Sequence, residues 1–151
     1  MPDRFPDRPR PHRWTVDEFH RLGADGVFAP DARLELVDGD VIDMAPIGAR
    51  HAAAVKWLAR ALFESIGRDG TVSVQDPIRV GTRSEPQPDL AVLRYREDCY
   101  GTALPGAAGM LLIEVADASL AHDRDAKLPL HARHGIPEVW QLIEEFRKFT
   151  Q

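Results

Sequence analysis

Cysteine is almost missing from this sequence, since Cys99 is the single one among 151 residues. One cysteine cannot form a disulfide within the chain, so the sequence fits a reducing compartment and we expect a cytoplasmic protein. Long hydrophobic runs are also missing, which argues against a membrane-spanning helix. The first residues, MPDRFPDRPRPHR, contain no hydrophobic stretch of the kind that a secretion signal requires.

Lysine is scarce, and the overall charge is acidic. Lys56, Lys127 and Lys148 are the only lysines, and the net charge is −5. This balance argues against a protein that coats nucleic acid through a generally basic surface, but it allows a local basic groove. Residues 1–13 are rich in proline, arginine and aspartate, as disordered arms are. Residues 14–151 are long enough for a single domain with a hydrophobic core.

The hydrophobic pattern predicts helices and strands in turn. Thr15 and Glu18 are spaced as a capping box, which predicts a helix over residues 16–22. Asp38-Gly39 lies between two alternating segments and predicts a β-hairpin. A long helix is predicted from about residue 49 to the glycines at 67 and 70. Strands are predicted in TVSVQDPIRV, LAVL, MLLIEVAD and PEVWQLIEE, with a helix over SLAHDRDAKLPLHARHG. We therefore expect an α/β (α+β) fold with a mixed β-sheet flanked by helices.

Glu114 interrupts the apolar strand LLIEVA, where a charge is costly unless it is paired, protonated or bound to a metal. Asp89 stands at the mouth of the preceding strand, and Lys127 lies on the helix that follows. Two carboxylates on one face of neighbouring strands can hold a divalent cation, and a nearby lysine can orient a water. These are the parts needed to hydrolyse a phosphodiester.

Each of these residues also has an ordinary structural interpretation. Asp89 follows Pro88 and belongs to a type common in turns. Glu114 could pair with one of the many arginines. Lys127 follows Asp123 by four positions, which suits a simple ion pair on a helix.

Several motifs occur in a fixed order, namely WTVDEFHRL, RLELVDGDVIDMAP, RHAAAVKWLARAL, QPDLAVL, LLIEVADAS and DRDAKLPLHARHGIPEVWQL. Together they resemble the bacterial Uma-type family of putative restriction endonucleases, in the PD-(D/E)xK nuclease superfamily. The resemblance covers nearly all of the chain beyond the N-terminal arm. It implies a restriction-endonuclease-like fold with a divalent-metal site.

The resemblance also implies roles for individual residues. Asp89 and Glu114 would bind Mg²⁺ or Mn²⁺, together with the backbone carbonyl of Val115. The plain motif has a lysine two positions after the glutamate, where this sequence has Ala116. The catalytic lysine would instead be Lys127, on the following helix.

Four further residues match positions that would assist the site. Glu35 either points into the site or is an alternating strand residue that faces water. His51 either faces the site or caps and packs the long helix. Asp123 would hold Lys127 in place. His131 stands where the family often has a tyrosine, and it would either line the site or mark lost activity.

Gln75 and Asp76 precede Pro77 near the same sheet edge. They are interpreted as polar residues at a strand end, with support of the site as the alternative. Pro129 within the last predicted helix is unusual for the family. The chain also stops soon after the tryptophan-bearing strand, so we expect a domain short at its C-terminus. An uncovered sheet edge there would favour a homodimer.

Three functions fit these observations. The first is a Mg²⁺- or Mn²⁺-dependent DNA endonuclease that leaves a 5′-phosphate. The second is an inactive relic of the same fold that binds nucleic acid or protein. The third is a metal-independent interaction protein whose carboxylates pair with arginines. No helix-turn-helix or zinc pattern is present, so DNA would bind along a local track. The two candidate tracks are Arg50, Lys56 and Arg60, or Arg79 and Arg83.

Overall fold

The computed structural model describes residues 9–106, 111–116, 133, 136 and 138–143. Within these ranges the chain forms α1 (Val16–Ala24), β1 (Leu34–Val37), β2 (Asp40–Asp43), α2 (Ala49–Ile66), β3 (Gly70–Val74), β4 (Leu90–Arg94), β5 (Leu111–Ala116) and β6 (Glu138–Ile143). The mixed α/β architecture expected from the sequence is confirmed. The predicted helix over residues 119–135 falls almost entirely outside the described residues.

The predicted capping box of α1 is confirmed. The Thr15 hydroxyl accepts a hydrogen bond from the Glu18 backbone N–H at 3.2 Å, and the Glu18 carboxylate accepts one from the Thr15 backbone N–H at 2.8 Å. Two N–H groups that the helix itself cannot satisfy are paired in this way. The helix ends at Ala24, slightly beyond the predicted range.

The predicted hairpin is also confirmed, with Asp38 and Gly39 at its turn. Both have positive φ, 50° and 84°, as the tight two-residue turn of a hairpin requires. A side chain at Gly39 would meet Arg13, since an added Cβ would lie 2.9 Å from the Arg13 Cβ. The hairpin is joined to the rest of the fold through hydrogen bonds between the backbones of Leu36 and Glu85.

The main sheet has the strand order β3-β4-β5-β6. The first two pairings are antiparallel and the last is parallel, so the sheet is mixed. Helix α2 covers one face, where its buried Ala54, Val55 and Ala59 contact strand residues. The second core cluster is made by Ile78, Val80, Ala91, Leu93, Leu112 and Ile136.

No helix within the described ranges is long and apolar enough to cross a membrane.

Candidate metal centre

Asp89 immediately precedes β4, and Glu114 lies on the neighbouring strand β5. In the antiparallel pairing of β4 with β5, Leu90 lies opposite Ile113. Asp89 and Glu114 are the next residues beyond this pair, at the point where the β4 ladder ends. Glu114 is half-buried, and its Oε1 is shielded from solvent. The fold therefore brings together the two acids that the sequence singled out.

The Asp89 carboxylate is held by three donors from three parts of the chain. Its Oδ1 accepts hydrogen bonds from His51 Nε2 at 2.8 Å and from Gln75 Nε2 at 3.4 Å. Its Oδ2 accepts a hydrogen bond from the backbone N–H of Val115 at 2.8 Å. Only 14% of the Asp89 side chain is exposed. The carboxylate is thus fixed in one orientation before any ligand binds.

His51 lies in the first turn of α2 and faces Asp89. Of its two interpretations from sequence, the structure favours the one in which its side chain faces the site. In its metal-binding form Asp89 is a carboxylate, which only accepts hydrogen bonds, and Nε2 of His51 is then the donor in this contact. The imidazole is 22% exposed. Helix α2 itself positions His51, because its apolar residues pack on the sheet beside Asp89.

The backbone ladder between β4 and β5 ends next to Asp89, with Leu90 opposite Ile113 as its last pair. The residue before Asp89 is Pro88, which is fully buried and has no backbone N–H to donate. Beyond the ladder, the Val115 N–H donates to the Asp89 side chain. The N–H and C=O of one strand residue point to the same side, so the Val115 carbonyl is on the β4 side of β5 as well.

Gln75 contacts Asp89 twice. Its backbone N–H donates to the Asp89 backbone carbonyl at 3.0 Å, and its side-chain amide reaches Oδ1. Its φ is +54°, a left-handed conformation that is uncommon outside glycine, asparagine and aspartate. Sequence reasoning left the role of Gln75 open, because nothing in the local pattern predicts a positive φ for glutamine.

Glu35 is buried on β1, with 4% of the residue exposed. The interpretation in which it faces water is therefore wrong. Its Oε2 accepts a hydrogen bond from the backbone N–H of Gln87 at 3.3 Å. Gln87 lies two residues before Asp89, so Glu35 adjoins the segment that carries this aspartate.

A second buried carboxylate escaped the sequence analysis. Glu85 is 7% exposed and contacts His20 of α1, with 2.6 Å between its Oε2 and His20 Nε2. This contact ties α1 to the segment that leads to Asp89. The burial of Glu85 and its contact with His20 could not be predicted from sequence, because the two residues lie 65 positions apart in the chain.

Several predicted site residues lie outside the described residues, namely Lys127, Asp123 and His131, together with Pro129. Their assigned roles stay predictions. Among the residues that the structure describes, no group of three or more His, Cys, Asp or Glu side chains is arranged to hold a metal ion.

The two basic tracks differ in the partners of their arginines. Arg60 forms an ion pair with Glu64 at 3.1 Å, and Arg79 forms one with Asp17 at 3.2 Å. Arg50 is exposed and immediately precedes His51, at the end of α2 that meets Asp89. Arg50 is therefore the candidate track residue nearest to the site in sequence.

Comparison with known proteins supports this description of the fold. The family model described as Uma2, putative restriction endonuclease, matches residues 16–144. A similar solved structure is a putative nuclease belonging to DUF820 from Anabaena variabilis ATCC 29413, with a TM-score of 0.65 and 18% sequence identity. That match covers 86% of this chain and 74% of the other chain. No curated protein sequence matches the chain.

Proposed function

Because the chain belongs to the Uma2 family of putative restriction endonucleases, we propose that it is a divalent-metal-dependent DNA endonuclease. The observation that carries this proposal is the orientation of Asp89, held by His51 and by the backbone amide of Val115, the residue after Glu114. A carboxylate that served only as a turn residue would not need donors from a helix, a strand end and a neighbouring strand.

The residues present fit a hard divalent cation. Asp89, Glu114 and the Val115 carbonyl offer only oxygen atoms, which Mg²⁺ and Mn²⁺ prefer. A carboxylate has about four lone-pair positions, and three hydrogen bonds occupy three of those of Asp89. The two bonds at Oδ1 leave Oδ2 as the oxygen with room for a cation. This oxygen lies on the side of Val115, towards the other two proposed ligands.

The chain's own groups would orient the reaction. A bound divalent cation supplies Lewis-acid stabilisation and lowers the pKa of a coordinated water. His51 keeps Asp89 turned towards Val115. We assign to Lys127 the positioning of the attacking water, and to Asp123 the positioning of Lys127. Water attacks phosphorus, the bond to the 3′ oxygen breaks, and the products are a 5′-phosphate and a 3′-hydroxyl.

The decisive experiment is cleavage of supercoiled plasmid DNA with Mg²⁺, with Mn²⁺ and with EDTA. We expect nicked or linear DNA with either metal and none with EDTA. Asp89→Asn, Glu114→Gln and Lys127→Ala should each lower the cleavage rate by more than about 100-fold, since each removes a group of the site. The matched control is Glu97→Gln, an exposed acid in the loop after β4 that should cleave like the wild type.

Two results would overturn the proposal. Cleavage that persists in EDTA, or in the Asp89→Asn variant, would show that the activity comes from another site of the protein or from a contaminant. DNA binding without cleavage under any metal condition would assign the chain to the inactive class of the same fold.

A further inference from the structure

Gln75 pairs an unfavourable backbone conformation with contacts to a single residue. Four described residues other than glycine have positive φ, and they are Asp38, Gln75, Cys99 and Tyr100. Asp38 belongs to a hairpin turn, whose geometry requires positive φ. Residue type does not explain the positive φ of Gln75, since a glutamine side chain does not favour the left-handed region as those of asparagine and aspartate do. Positions of this kind persist where the surrounding structure holds them, often at functional sites.

Both the backbone and the side chain of Gln75 contact Asp89. The Gln75 N–H donates to the Asp89 carbonyl at 3.0 Å, one step beyond the last β3–β4 pair. The side-chain amide then lies 3.4 Å from Asp89 Oδ1, on the oxygen that His51 also contacts at 2.8 Å. Glycine at this position would keep the backbone contact and relieve the strain. It would lose the amide, and that loss identifies what glutamine adds.

We propose that Gln75 is a positioning residue for the metal site. Gln75 and His51 both donate to Oδ1 of Asp89, and this leaves Oδ2 to bind the cation. This inference rests on the proposed function, because it names a residue that serves the same site. Groups that hydrogen-bond to a metal ligand orient it and raise its effectiveness, and their loss usually weakens metal binding by about 10- to 100-fold.

The test compares Gln75→Gly with the wild type in the absence and presence of Mn²⁺. Without metal we expect the variant to melt at the same or a higher temperature, since glycine adopts positive φ without strain. With Mn²⁺ we expect the dissociation constant, measured by calorimetry, to rise about 10- to 100-fold. A role limited to stability would lower the melting temperature and leave the dissociation constant unchanged.

The matched control is Cys99→Gly. Cys99 has a similar φ of +47° and is exposed, in the turn that follows β4. Its replacement relieves the same kind of strain without touching Asp89, so the Mn²⁺ dissociation constant should equal that of the wild type. An unchanged constant in Gln75→Gly, or an equal change in Cys99→Gly, would overturn the inference.

Failure of the proposed function gives a different result. If wild-type protein binds no Mn²⁺ and cleaves no DNA, the metal site itself is wrong, and crystal structures of the metal-free proteins then decide the role of Gln75. An Asp89 carboxylate that turns away from the Val115 N–H in Gln75→Gly, but not in Cys99→Gly, supports positioning. A carboxylate that keeps its place in both variants overturns it.

Discussion

Asp89 has two roles at the scale of single residues, as a proposed metal ligand and as a hydrogen-bond acceptor in the sheet. The second role is the hydrogen bond that its Oδ2 accepts from the Val115 N–H, just beyond the end of the β4–β5 ladder. Val115 is only 6% exposed, so its N–H depends on a partner within the protein.

Substitutions of Asp89 should therefore differ in their cost to stability. Asp89→Ala leaves the Val115 N–H without its acceptor and should lower the free energy of unfolding by about 1–3 kcal/mol. Asp89→Asn keeps an acceptor oxygen and should cost less. Urea unfolding without metal measures both values. Equal stability of the alanine and asparagine variants would show that the Val115 contact contributes nothing.

Sequence reasoning found Asp89 and Glu114 because each is conspicuous where it stands, one after Pro88 and one inside an apolar strand. It left His51 and Gln75 undecided for a physical reason. Their roles depend on contacts across 38 and 14 residues of chain, which local patterns do not encode. Glutamine normally has a negative φ, so predictions from residue propensity fail at Gln75, as they often do at functional or strained sites.

Among the elements, helix α1 shows how a local motif adds a pH dependence. A hydrogen bond from the Thr15 backbone N–H lowers the pKa of Glu18, and the Thr15 hydroxyl lowers it further. A carboxyl whose pKa is lower in the folded state stabilises the fold above its usual pKa of about 4.5. This stabilisation is lost as the pH falls through the lower folded value.

Glu18→Gln should remove that part of the acid dependence. We expect the wild type to lose more stability than the variant between about pH 6 and about pH 3.5, as measured by urea unfolding. The control is Glu97→Gln, an exposed glutamate in the loop after β4, which should follow the wild type. Parallel curves for wild type and Glu18→Gln would mean that the charge of Glu18 does not stabilise α1.

Gly39, in the turn of the β1-β2 hairpin, and Gly26, in the loop after α1, form a matched pair of glycines with positive φ. Gly26→Ala at φ +73° meets nothing within 4 Å, so it should cost only the strain of a left-handed alanine, about 1–2 kcal/mol. Gly39→Ala at φ +84° adds contacts of 2.9–3.0 Å with Arg13, two of them to its backbone atoms. We therefore expect Gly39→Ala to unfold at lower urea than Gly26→Ala. The reverse order would show that the Arg13 segment moves away easily.

Elements with strong local signals were predicted well. The capping box set the start of α1, the Asp38-Gly39 turn set the hairpin, and Gly67 ended α2. The pairing of β5 with β6 could not be predicted in the same way. Parallel partners are joined by a long crossover, and no turn residue fixes their register.

For the whole molecule, we expect metal binding to raise the free energy of unfolding and the melting temperature. A ligand that binds only the native state at a hundredfold excess over its dissociation constant adds about 2.7 kcal/mol. For a chain of this length, that corresponds to a rise in melting temperature of roughly 5–11 °C. Mn²⁺ should raise the melting temperature of the wild type but not of Glu114→Gln. An equal rise in both proteins would show that the cation binds away from Glu114.

With a net charge of −5, the proposed DNA substrate would have to bind through a local basic surface. We expect Arg50→Ala to reduce the slope of log affinity against log salt by about 0.9, the value for one lost phosphate contact. Arg60→Ala should leave the slope unchanged, because Glu64 already neutralises this arginine. Fluorescence anisotropy in a Glu114→Gln background measures binding without cleavage. A larger change in the salt slope for Arg60→Ala than for Arg50→Ala would show that DNA contacts α2 nearer to Arg60.

The bond between a side chain and a strand amide links the site to the opening motions of the sheet. Amide hydrogens exchange with solvent only when their hydrogen bonds break, and here the Val115 bond breaks whenever Asp89 turns away. Deuterium uptake at this one amide would therefore measure how often the site comes apart. A cation bound to Asp89 should slow that uptake, while amides in the distant hairpin turn keep their rate. The exchange rate of the Val115 amide would thus report whether the Asp89 carboxylate is in place.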